Sequence, residues 1–185
     1  LFAYTEKEHA FSPQEIDTLI HAIDEVKILD PACGSGAFPM GVLHKLVFIL
    51  TKLDPGNNRW KQRQLDAAAT IPDSTARDAA TAAIEDAFDN NEDDYGRKLY
   101  LIENCLYGVD IQPIAIQISK LRFFISLICD QKTNRDKAKN HGIRPLPNLE
   151  TKFVAADTLI GLPEMDESLL VDPRVNRIER EIESL

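Results

Sequence analysis

The sequence predicts an α/β domain built on a parallel sheet, and three observations carry that prediction. Val26-Lys27-Ile28-Leu29 is a short apolar strand that runs into Asp30, then a turn holding Gly34 and Gly36, then a helix. Two later apolar runs, Leu106 to Val109 and Phe153 to Ala156, also end in an acid, Asp110 and Asp157. Helical periodicity fills the intervals between them, the alternation that yields parallel strands joined by crossover helices.

Each element has a local reason. Ser12-Pro13-Gln14-Glu15 is a helix start, with Ser as cap, Pro at the first helical position and Glu three residues after the cap. Ile16, Leu19, Ile20 and Ile23 are its apolar stripe. Phe38 to Leu53 reads as the helix after the glycine turn, with Val42, Leu46, Ile49 and Leu50 facing the core. Residues 54–98 read as an insertion carrying ten acids against six bases. Ala80, Ala83, Ile84, Ala87 and Phe88 fall at helical spacing there, so at least one helix is expected, or an antiparallel pair. The acidic run Glu85 to Asp94 reads as solvated surface.

Leu99 to Cys105 reads as the end of a helix leading into the second strand, Leu106-Tyr107-Gly108-Val109-Asp110. Pro113 opens a strongly apolar helix, with Ile114, Ile118, Leu121, Ile125 and Ile128 expected as its buried face. The basic stretch 131–144 contains Lys132, Arg135, Lys137, Lys139 and Arg144. It reads as a solvated connector in preference to a phosphate-facing loop. Asp172-Pro173 starts a last helix with Val175, Ile178, Ile182 and Leu185 at 3-4-3 spacing.

The order strand, acid, glycine turn, helix builds a nucleotide-type cofactor site at the edge of a parallel sheet. Asp30 changes the ligand class. A carboxylate beside the glycines repels pyrophosphate and attracts a cationic ammonium or sulfonium ligand, which points away from NAD and towards S-adenosylmethionine. The dinucleotide pattern G-x-G-x-x-G also fails, because Pro39 stands at the third glycine. The remaining structural alternatives are plain: a glycine-rich turn without a ligand, Asp110 as a cap before Pro113, and Asp157 as a turn cap.

The run Asp30-Pro31-Ala32-Cys33-Gly34-Ser35-Gly36-Ala37-Phe38 resembles the cofactor motif of adenine-N6 DNA methyltransferases. It is most similar to the large restriction–modification and phage-defence enzymes of the Eco57I type. The resemblance extends, with gaps, from about Phe11 to Leu162. It implies a Rossmann-like methyltransferase fold, a three-layer sandwich of which the first three parallel strands are present in the order 3-2-1. It also implies site roles. Asp30, Pro31, Ala32, Cys33, Gly34, Gly36 and Phe38 form the cofactor turn. Asp110 accepts from the ribose hydroxyls, and Ile111 lies against the adenine face. Asp157 accepts from the adenine amino group, with Thr158 and Leu159 beside it. Ser12 stands where the family places a hydroxyl at the methionine end, although its capping box explains it without a ligand.

The family's catalytic Asn-Pro-Pro-Tyr type motif is missing, since the Asp-Pro pairs at Asp30, Asp54 and Asp172 have no second Pro. The chain therefore reads as the cofactor half, divided into 11–53, the insertion 54–98, a second part 99–162 and a terminal helix 163–185. No catalytic residue is assigned, and the segment alone is expected to be inactive. It starts at Leu1 and is expected to be part of something longer. Cys33 is rejected as a nucleophile because a catalytic cysteine needs a base or a cationic setting.

Composition bounds the rest. The net charge of −9 argues against this segment as the main DNA-gripping surface, so DNA contacts are expected mostly elsewhere in the parent. Three cysteines at unrelated spacings suggest a reducing cytoplasm, and no metal pattern is present. No apolar run reaches the ~18–20 residues of a membrane span. The first strand's open edge is expected to drive self-association, or to be buried under the terminal helix. Three competing functions are a non-catalytic S-adenosylmethionine-binding module, an RNA or protein methyltransferase, and an NAD-dependent oxidoreductase, the last disfavoured by Pro39 and Asp30.

Overall fold

The computed structural model describes residues 1–4, 9–89, 94–133, 135 and 137–160. The expected terminal helix lies outside them. The first helix, α1 (Pro13–Glu25), starts at a complete capping box: Ser12 Oγ accepts from Glu15 N, and Ser12 N donates to the Glu15 carboxylate at 2.8 Å. It buries Ile20 and half-buries Ile16, Leu19 and Ile23, as its periodicity predicts.

Strand β1 (Ile28–Asp30) is followed by α2 (Ala37–Leu53). The insertion folds into α3 (Asn58–Ala69) and α4 (Ser74–Asp89), packed against each other, and α5 (Tyr95–Asn104). Then come β2 (Leu106–Asp110), α6 (Pro113–Ile128), a 3-10 turn (Lys137–Gly142) and β3 (Phe153–Ala155). The three strands are parallel with β2 in the centre. Leu29 pairs with Tyr107, and Val109 pairs with Val154.

One sheet face is filled. Leu106 and Phe153 are buried there, and Phe153 stacks on Phe123 of α6 with ring centroids 4.7 Å apart. Gly108 sits between them for steric reasons: a Cβ would lie 2.7 Å from the Phe153 ring and 2.9 Å from Cys33 Sγ. The opposite face, with Leu29, Tyr107, Val109 and Val154, is half-exposed or exposed among the described residues. β1 has no partner on its outer edge there.

Two helix faces differ from expectation. On α2 the buried residues are Pro39, Leu43, Val47, Ile49, Leu50 and Leu53, while Val42 and Leu46 are only half-buried. Ile49 and Leu50 are buried as expected, Val42 and Leu46 pack half-buried against the same core, and periodicity alone does not single out Leu43 and Val47 because the helix is apolar nearly all round. On α6 the expected buried face is wrong. Ile114, Ile118, Leu121, Ile125 and Ile128 are 42–66% exposed, and Ile116, Ser119, Lys120, Phe123 and Leu127 are buried instead. The reason is a close helix approach. Ser119 packs directly under Gly36, where no larger residue fits, and Phe123 stacks on Phe153. Lys120 tolerates burial because its ammonium pairs with Glu150 at 2.6 Å.

The insertion has an anchor that composition does not reveal. Arg97 is fully buried and donates to Thr51 Oγ1 at 2.9 Å, to Asp94 at 2.8 Å and to the Asp54 carbonyl. Asp54 in turn accepts from Trp60 N in the first turn of α3. These contacts tie both ends of the insertion to α2, so α5 begins inside the span read as inserted. Among the described residues no helix is long and apolar enough to cross a membrane.

Candidate cofactor site

The carboxyl ends of the three strands bring the glycine turn and the three acids to one edge of the sheet. Cys33 N donates to the Val109 carbonyl at 2.9 Å, which lays the turn over the end of β2. Gly34 and Gly36 have φ of +54° and +81°, the left-handed region that favours glycine. Gly36 N closes the turn on the Cys33 carbonyl at 2.9 Å, and α2 starts there. Pro39 falls in the first turn of α2, where a missing N–H removes no intrahelical bond.

Asp110 is the hub. One carboxylate oxygen accepts from Gly34 N at 2.8 Å, and the other accepts from Gln112 N at 2.9 Å. Its carbonyl accepts from Ala156 N at 3.0 Å, which aligns the exit of β3. Asp30 accepts from Ala32 N at 3.1 Å, and Asp157 accepts from Leu159 N at 2.9 Å. Thr158 Oγ1 donates to the Pro31 carbonyl at 3.1 Å, so the third segment is tied directly to the first. A carboxylate oxygen with one such bond keeps acceptor capacity for a second donor. Exposed apolar side chains rim the edge: Phe38, Ile111 and Leu159, the last 93% exposed.

The structure therefore brings Asp30, Pro31, Ala32, Cys33, Gly34, Gly36, Phe38, Asp110, Ile111, Asp157, Thr158 and Leu159 together. Ser12 is not tied to this group, and its hydrogen bonds go to Glu15. Sequence reasoning missed one part of the site. The Asp110 clasp on Gly34 is a contact across 76 residues, and no local pattern announces it. The bond from Gln112 N to Asp110 is the cap before Pro113 that the sequence offered, an Asp accepting from the N–H two residues on.

The donor set fits a cationic, hydroxyl-bearing ligand. Residues 30–38, 108–113 and 155–160 hold three acids and no Lys or Arg. The space a Cβ would fill at Gly34 is open, with nothing within 4 Å. Cys33 is buried, and its thiol is pushed up by that burial and then by Asp30 and Asp110. A raised thiol pKa lowers the fraction of thiolate, the form a nucleophile needs. The basic stretch before β3 enters the sheet from the opposite edge, since the strands are parallel. Among the described residues no cluster of His, Cys, Asp and Glu is placed to hold a metal.

Comparison with known proteins adds one relative. Over 148 residues, 80% of this chain, the sequence is 33% identical to a protein of Methanocaldococcus jannaschii. That protein carries the provisional name of a type II restriction enzyme and methyltransferase. The chain spans 9% of that relative's length. No protein-family model and no solved structure matches the chain.

Proposed function

We propose that this chain is the S-adenosylmethionine-binding part of a site-specific DNA methyltransferase acting on adenine N6, within a restriction–modification or phage-defence protein. One observation carries the reading: among the described residues three acids, in stretches that hold no Lys or Arg, converge on an open glycine turn, with Asp110 bonded to Gly34 N. The name of the relative from M. jannaschii supports the methyltransferase class. The adenine specificity rests on the resemblance of the Asp30–Phe38 run. On this reading the fold is the first half of a Rossmann-like methyltransferase sandwich.

The residue roles follow from chemistry. Asp110 has a free acceptor position on each oxygen for the two ribose hydroxyls. Ile111 and Leu159 offer the apolar walls an adenine ring needs, and Asp157 accepts from its amino group. Asp30 faces the cationic end, and the turn Pro31-Ala32-Cys33-Gly34 admits the ligand because it carries so little side chain. When bound, S-adenosylmethionine supplies a methyl group on a good leaving group. This chain's residues hold and orient it, and the groups that hold a flipped-out base belong to parts of the parent beyond these residues. DNA is gripped mostly there as well, consistent with the acidity of this segment. The open outer edge of β1 is the route by which the isolated segment self-associates.

The test is a calorimetric titration of the chain with S-adenosylhomocysteine and, separately, with NAD. Binding of the first and not the second supports the reading. Preference for NAD refutes it.

A further inference from the structure

We infer that Thr158 is a positioning residue for base selectivity: its hydroxyl holds the segment after β3 across the end of the sheet, and so fixes where the Asp157 carboxylate meets an adenine amino group. The inference rests on the cofactor reading above. It adds a residue that acts on the base through its neighbour.

The segment needs a tether. Residues 156–160 leave β3 with every side chain exposed, and Leu159 and Ile160 are 93% and 73% exposed. Apolar packing therefore does not hold Asp157 in place. Among the described residues two hydrogen bonds tie the segment to the sheet edge. Ala156 N donates to the Asp110 carbonyl at 3.0 Å, on the strand side of Asp157. Thr158 Oγ1 donates to the Pro31 carbonyl at 3.1 Å, on the far side. Asp157 is thus held from both directions, and the second hold is a single hydroxyl.

The path of the segment gives that hydroxyl its importance. β1 and β3 are not neighbours, because β2 lies between them. Strands are spaced about 4.8 Å apart, so the segment crosses roughly 10 Å over the end of β2 to reach Pro31. A threonine in an ordinary turn bonds its own backbone two residues on. This one bonds a carbonyl 127 residues away. With Gly34 N on the Asp110 carboxylate at 2.8 Å, the bonds join the exits of all three strands in a closed ring. The ring contains Asp110, the acceptor for the ribose, and Asp157, the acceptor for the base. It therefore sets the spacing that a ligand must match to satisfy both at once.

The test is calorimetric titration of the whole chain with S-adenosylhomocysteine and with S-inosylhomocysteine, whose base carries a carbonyl where adenine has its amino group. The native chain is expected to bind the first tighter by about tenfold or more, the range of a hydrogen bond to a charged group. Thr158→Val keeps the shape and removes the hydroxyl. It is expected to weaken S-adenosylhomocysteine by about 3- to 10-fold, the range of one neutral hydrogen bond, and to leave the inosine ligand unchanged. Thr158→Ser is expected to restore native binding of both. In an Asp157→Ala background Thr158→Val is expected to change neither. Equal weakening of both ligands, no weakening, or tighter binding through release of a segment that obstructs the site would each overturn the inference and leave the cofactor reading standing. Binding of neither ligand by the native chain would refute that reading, and equal binding of both would remove Asp157 from the adenine; the inference falls with either. A measurement without ligand checks the tether itself. Amide exchange at Ala156 and Leu159 is expected to be about threefold or more faster in Thr158→Val than in the native chain. Unchanged exchange would also overturn the inference.

Discussion

Replacing Gly36 by alanine is expected to destabilise the chain by about 2–5 kcal/mol. Two independent costs add. At φ +81° an L side chain is strained, by about 1–2 kcal/mol. The new Cβ would also lie 2.3 Å from Ser119 Oγ and 3.0 Å from Ser119 Cβ, and such overpacking costs about 1–3 kcal/mol. Against a typical total of about 5–15 kcal/mol the variant stays folded but loses a large share of its stability. The two costs separate in a double-mutant cycle with Ser119→Ala. Ser119 Oγ is buried and has no hydrogen-bond partner among the described residues, so removing it is expected to be neutral or slightly stabilising. In that background Gly36→Ala loses its worst clash, and its cost falls by about 1–2 kcal/mol. The assay is urea unfolding of the four chains, with all m-values equal. If Gly36→Ala costs the same with and without the Ser119 hydroxyl, the close approach of α2 and α6 is not what demands glycine there. The account of why α6 buries its Ser119 face then fails with it.

Asp110→Ala is expected to weaken S-adenosylhomocysteine binding by roughly 10- to 150-fold, since charged hydrogen bonds contribute about 1.5–3 kcal/mol; an unchanged calorimetric Kd would remove Asp110 from the site. Cys33 should react with iodoacetamide far more slowly than the exposed Cys129 at pH 8, because burial and two carboxylates keep its thiol neutral; the reverse order by peptide mass mapping would contradict this. Burial also pushes the Cys105 thiol up to about 11. A raised pKa favours the protonated folded form, so its contribution is whole below the ordinary thiol value and is lost as pH rises through about 11. Unfolding at pH 8 and pH 10.5 should therefore show a steeper loss of stability for the native chain than for Cys105→Ala; parallel losses would refute it.

The three strands, the acid at the end of each and the glycine turn were legible in the amino-acid order alone. Those features are set by neighbours a few residues apart: a β-rich apolar run, two glycines, a Pro at a helix start. The capping box at Ser12 was readable in full for the same reason. Which side of each crossover helix lies inside was settled by packing. Periodicity identifies a buried face only when the other face is polar, and α6 has apolar residues on both sides. The choice fell to Gly36, which lets Ser119 come close, and to Phe153, which takes Phe123. The same holds for the site. Asp30, Asp110 and Asp157 were legible one at a time, but the bond from Gly34 N to Asp110 and the bond from Thr158 to Pro31 span 76 and 127 residues. Contacts of that separation depend on the sheet register, which forms only when the strands meet.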